Sequence, residues 1–169
     1  MGYRVLAISL LVAVGVGACA SSSSRSETSA VTQPAGALKS EFPASFRVGA
    51  LGAQELKSGE CGLFLFSGNP SPRFIFFGEA ASRVGKMVLD NKEVTFVRVK
   101  GEGGVADLHF TEQSYSSPAH QLTVDISFTP EENIGVYGTR ISSGTLKLQR
   151  DDGWSMVMSV GGATSCSQQ

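Results

Sequence analysis

Few side chains in this sequence combine a reactive type with a useful spacing. Asp107 and His109 lie two apart, so on a strand they would share a face and could begin a metal site. Two ligands fall short of the three or four that zinc takes. The reading is therefore a solvated face, with Asp107, His109 and Thr111 outward and Leu108 and Phe110 inward. His120 follows Pro118 in a loop and reads as exposed. Glu131-Glu132 and Asp151-Asp152 are adjacent acids. Acid–base catalysis by two carboxylates needs them to flank one bond, and chain neighbours on a strand face opposite ways. They read as solvated turn residues. Cys61 and Cys166 could form a redox or metal thiol pair, yet neither belongs to a C-x-x-C motif. There is no G-x-S-x-G elbow, no Walker loop and no H-E-x-x-H. Gly85-Lys86 is followed by Met87 and lacks the upstream glycine of a phosphate loop. No catalytic set, metal site or cofactor motif emerges, and the chain reads as non-enzymatic.

The elements that carry these residues read as strands. Leu122, Val124, Ile126 and Phe128 alternate with Thr123, Asp125 and Ser127. Leu146 and Leu148 form a second inward row, and Trp154, Met156, Met158 and Val160 a third. Period-two alternation marks strands with one buried face. Leu63-Phe64-Leu65-Phe66 and Phe74-Ile75-Phe76-Phe77 are apolar at every position. Such strands are covered on both sides, or have one face under a loop. Their phenylalanines either fill a core or line an apolar ligand pocket within a barrel.

Turn residues punctuate the strands. Asp90-Asn91 predicts a tight hairpin. Asp151-Asp152-Gly153 predicts a three-residue loop with Gly153 left-handed. Gly101-Glu102-Gly103-Gly104 predicts another strand closure, and Ser67 to Pro72 and Ser114 to His120 read as loops. Glu131 to Ser143 is the longest expected connection. Gly52 to Lys57 and Glu79 to Val84 could be short helices. The sum is an all-β domain over residues 42–169, an antiparallel sandwich or small barrel of about eight or nine strands.

Composition narrows the partners. The 169 residues suit one domain, and 14 Lys+Arg against 15 Asp+Glu leave no field that would draw in nucleic acid. The first residues have another role. Met1 to Arg4 carry positive charge, Val5 to Val16 are largely apolar, and Gly17 and Ala18 are small. This is the layout of a secretory signal, and the apolar run is short for a spanning helix.

Val16-Gly17-Ala18-Cys19 resembles the lipobox of bacterial lipoproteins. The resemblance implies cleavage after residue 18, so that residues 1–18 are a signal peptide and Cys19 becomes the lipidated first residue. Several acyl chains, at about 0.8 kcal/mol per buried CH2, would hold the chain to a membrane. Ala20 rather than Asp implies passage to the outer membrane of a Gram-negative envelope, facing the periplasm. Residues 19–41, rich in Ser, Ala, Thr and Gln, read as a flexible tether that cannot bury enough surface to fold. With Cys19 acylated, Cys61 and Cys166 remain, and an oxidising compartment predicts a disulfide between them.

Small disulfide-containing β-barrel lipoproteins include periplasmic inhibitors of c-type lysozyme, and the layout of signal, lipobox, tether and barrel is similar to theirs. Their Ser-Gly-x-x-Tyr loop is matched here only by Ser143 and Gly144, and the Lys-Gly that should follow Trp154 is absent. That resemblance makes Ser143 and Gly144 a candidate partner-contact loop. Three functions stay in view: a binding or structural domain for a protein or envelope partner, a hydrolase inhibitor, and a lipocalin-like carrier of an apolar ligand.

Overall fold

A computed structural model describes residues 45–68, 71–133 and 138–168. The expected signal peptide (1–18), the expected lipidation site Cys19 and the expected tether through residue 41 lie outside the described residues. The described chain forms β1 (Cys61–Ser67), β2 (Phe74–Glu79), β3 (Val84–Leu89), β4 (Lys92–Ala106), β5 (His109–Ser117), β6 (Leu122–Asn133), β7 (Thr139–Arg150) and β8 (Ser155–Cys166). Each strand pairs antiparallel with the next, and β8 returns to β1, closing a barrel. Closure removes the exposed edges that an open sheet would carry.

The alternating rows point as their period predicts. Leu122, Val124, Ile126, Phe128, Leu146, Leu148 and Val160 are buried in one cluster, and Trp154, Met156 and Met158 pack against it. Between them Ser127, Thr145, Ser155 and Ser159 are exposed. The apolar face is inside and the polar face outside, the reverse of a barrel that spans a bilayer. An eight-stranded barrel is just wide enough for side chains to fill. Leu63, Leu65, Phe76, Met87, Phe96 and Tyr115 have no exposed surface and fill this one.

The uniformly apolar strands carry cover on the outside as well. Phe76 meets Tyr115 edge-on within the barrel, at 5.1 Å between centroids. By alternation Ile75 and Phe77 then face outward, yet both are buried. Phe77 packs against Phe64 across the β1–β2 pair, the rings tilted at 5.2 Å between centroids. Leu56 and the Phe64 ring both lie against Gly62. A strap of extended chain before β1 supplies this cover. It also repairs the barrel wall, because β2 and β3 pair only through Phe77–Lys86 and Gly78–Gly85. Where they splay, Gly49 N–H donates to Val88 O at 2.8 Å and Leu51 N–H to Phe74 O at 2.7 Å. Phe46 closes that end of the barrel against Trp154, 4.4 Å between centroids.

Two expected helices are absent. Gly52 to Lys57 is part of the strap, without helix, and Glu79 to Val84 is the end of β2, a turn, and the start of β3. Asp90-Asn91 is the predicted hairpin turn, with φ of 47° and 66° between paired Leu89 and Lys92. Gly153 is left-handed at φ 94°. Ser114 to Ser117 belong to β5, leaving only a 3-10 turn at Pro118–His120 as connection. The long connection predicted from Glu131 to Ser143 is shorter, since β6 reaches Asn133 and β7 begins at Thr139. The glycine-rich stretch from Gly101 to Gly104 does not end a strand. It is a bulge within β4, with Gly103 at φ 78°, and the turn falls later at Asp107-Leu108. Bulges take the left-handed conformation that glycine adopts without steric cost.

Candidate functional site

The late turn changes where the histidine points. Asp107 and Leu108 are both left-handed, at φ 44° and 65°, so β5 restarts at His109 opposite Ala106. Leu108 sits exposed at the tip, and His109 is fully buried. The expected solvated face with Asp107 is thus overturned. Asp107 instead accepts a 2.6 Å hydrogen bond from the Thr164 hydroxyl. Among the described residues no three His, Cys, Asp or Glu side chains gather as a metal site.

His109 Nε2 lies 3.3 Å from the carbonyl of Cys61. A carbonyl only accepts, so Nε2 carries the proton and Nδ1 is a bare acceptor in the neutral ring. Nδ1 is buried without a hydrogen-bond partner. Burial, aided by the charge of Arg98, outweighs the Cys61 hydrogen bond and pushes the imidazole down to about 4. The buried neutral ring therefore ties the start of β5 to the start of β1 through that one hydrogen bond.

Further along β5, Gln113 and Tyr115 face the same interior. Tyr115 donates its hydroxyl to Gln113 Oε1 at 2.9 Å. Arg98 of β4, paired across from Tyr115, donates Nη1 to the same oxygen at 3.4 Å. Arginine cannot accept, so the amide orientation is fixed, and Gln113 Nε2 is left buried without a hydrogen-bond partner. Burial pushes the Tyr115 phenol well up. Arg98 Nη2 reaches the carbonyl of Ala80 at 3.3 Å. Its guanidinium stands 5.4 Å from the centroid of the Phe110 ring, which itself packs over Gly101. None of Arg98, Gln113 or Tyr115 stands out in the sequence. The signal lay in the alternation of His109, Gln113, Tyr115 and Ser117, hidden because Ser114 to His120 resembles a loop.

Beside this cluster a pocket of about 220 Å³ opens to solvent, lined by Arg83, Arg98, Val99, Lys100, Gly101 and Phe110. A second groove, of about 410 Å³, runs over β4 to β7 between mixed charges such as Lys100, Glu112, Asp125 and Lys147. The third, about 460 Å³, is bounded by Phe66, Pro72, Ser143, Gly144 and Val160. Ser143 and Gly144 therefore border an open groove, but they lie within strand β7 and not in a loop. The wall is irregular there, with a register shift between Ile141 and Gly144. Of the acids, Asp152 holds Arg150 in an ion pair at 2.6 Å, and that guanidinium keeps its carboxyl below the usual range. His120 is half-buried and touches Ser117 at 3.0 Å, a local contact within one turn, with Ser117 itself buried.

Cys61 and Cys166 face each other directly across the β1–β8 pair and are disulfide-bonded. The bond closes a loop that contains all eight strands. Comparison with protein families, with curated proteins and with solved structures finds no match for this chain.

Proposed function

We propose that this protein is a lipoprotein of a Gram-negative envelope, held through lipid on Cys19 at the outer membrane, whose barrel acts as a non-enzymatic binding module in the periplasm. The observation that carries the binding reading is the filled interior. Side chains occupy the space where a lipocalin-like barrel holds an apolar ligand, which favours partners at the outer wall or the barrel ends over a ligand inside. The disulfide suits an oxidising compartment. Fractionation of cells tests the anchor. Wild-type chain should sediment with outer membranes, and the Cys19→Ala chain should appear in the soluble periplasmic fraction. A Cys19→Ala chain that still sediments with membranes removes the anchor.

A second reading is inhibition of a c-type lysozyme. It is favoured by Ser143 and Gly144, which border the 460 Å³ groove beside the half-exposed Phe66. Purified Cys19→Ala protein would then slow lysozyme at micromolar concentration, and an unchanged lysozyme rate discards this reading while leaving the anchor standing.

A further inference from the structure

We propose that the pocket of Arg83, Arg98, Lys100 and Phe110 binds a small oxyanion, a carboxylate or phosphate group. The proposal is independent of the anchor. All three polar side chains lining this pocket are cationic, and none of its lining residues is acidic. Among the described residues no carboxylate lies within ion-pair distance of Arg83 or Arg98. Lys100 does have one, Glu102 at 3.0 Å, but both partners are more than half exposed, and such a pair is readily exchanged.

Arg98 has a structural task, and it leaves capacity over. Its backbone N–H donates to Arg83 O at 2.8 Å, and its Nη2 to Ala80 O, so it tacks down the β2–β3 turn. Its Nη1 goes to Gln113. These bonds commit two guanidinium hydrogens of the five, and both acceptors are neutral. Among the described residues the half-buried charge has no carboxylate partner, and it lies against the face of Phe110. An oxyanion meeting the remaining N–H groups would supply the missing countercharge, and guanidinium geometry suits two oxygens at once. Arg83 is exposed and held at φ 60° by the turn that Arg98 secures. It stands at the mouth of the same pocket as a second cation.

The test is titration of the purified protein with inorganic phosphate, and separately with acetate, at constant ionic strength, followed by heteronuclear NMR. Saturable shifts are expected at the Arg98 Nε–H and the Gly101 amide with at least one anion. A response to phosphate alone assigns the pocket to phosphoryl groups, and a response to acetate alone assigns it to carboxylates. Arg83→Ala leaves the core untouched and should weaken binding by about tenfold, as expected for one charge-assisted contact. Arg98→Gln should abolish it, with the amide signals of β6 to β8, remote from its Ala80 and Gln113 contacts, unmoved as a control for folding. Absence of saturable shifts with both anions, or an Arg83→Ala affinity equal to wild type, overturns the proposal.

Discussion

At the residue scale, His109 couples folding to pH. Its imidazole protonates at about 4 when folded, against the ordinary value of 6.5. Between those limits the unfolded chain binds a proton that the folded chain refuses. Stability is therefore fully present above pH 6.5 and is lost as pH falls towards 4, by roughly 3 kcal/mol in all. Urea unfolding at neutral pH and at pH near 5 should reveal the slope, and His109→Gln should flatten it. Equal slopes in the two proteins would mean that other groups carry the pH dependence. The same residue shows why its environment was illegible in the sequence. A two-residue turn displaced from the glycines to Asp107-Leu108 resets the strand, and a shift of one position exchanges inside for outside.

At the element scale, the β4–β5 hairpin carries avoidable strain. Leu108 is left-handed at φ 65° and exposed. A branched L-residue there costs about 1–2 kcal/mol, against which glycine's greater freedom in the unfolded chain must be set. Leu108→Gly should therefore stabilise the barrel by roughly 0.5–1 kcal/mol, read as a rise in Tm of a few degrees. A lowered Tm would show that Leu108 makes contacts that outweigh its strain. The strands themselves were legible wherever one face is buried, because Leu122 to Phe128 and Leu146 to Leu148 alternate. The cover over β1 and β2 was legible only as a need: Phe64 and Phe77 required something outside them. That the strap before β1 provides it follows from hydrogen bonds to Val88 and Phe74, which no local pattern encodes. The Arg98 pocket was invisible for a similar reason. Its residues come from a turn and two strands, Arg83, Arg98 and Phe110, and only the register of the β3–β4 and β4–β5 pairs, shifted by the β4 bulge, brings them together.

At the scale of the whole molecule, the barrel depends on one seam that joins its first and last strands. Cys61 and Cys166 staple it across 105 residues of sequence. Chain-entropy estimates assign a loop of about that length some 4.7 kcal/mol, and native disulfides of small secreted domains contribute about 2–5 kcal/mol. Guanidinium unfolding with and without reductant should therefore differ markedly in midpoint, and Cys61→Ser with Cys166→Ser should match the reduced protein. Coincident midpoints would mean that the β1–β8 hydrogen bonds hold the seam unaided.

The strap has a mechanical consequence. Residues 46–60 lie outside the covalent loop yet form part of the wall between β2 and β3. A pull on the chain ahead of Ser45 would first draw Phe46 from Trp154 and unzip the bonds to Val88 and Phe74. Tension would then reach Cys61 and pass through sulfur to Cys166, sparing the strands between. The barrel thus carries a fuse: force applied at the N-terminal side opens one slit in the wall before it can unravel the rest.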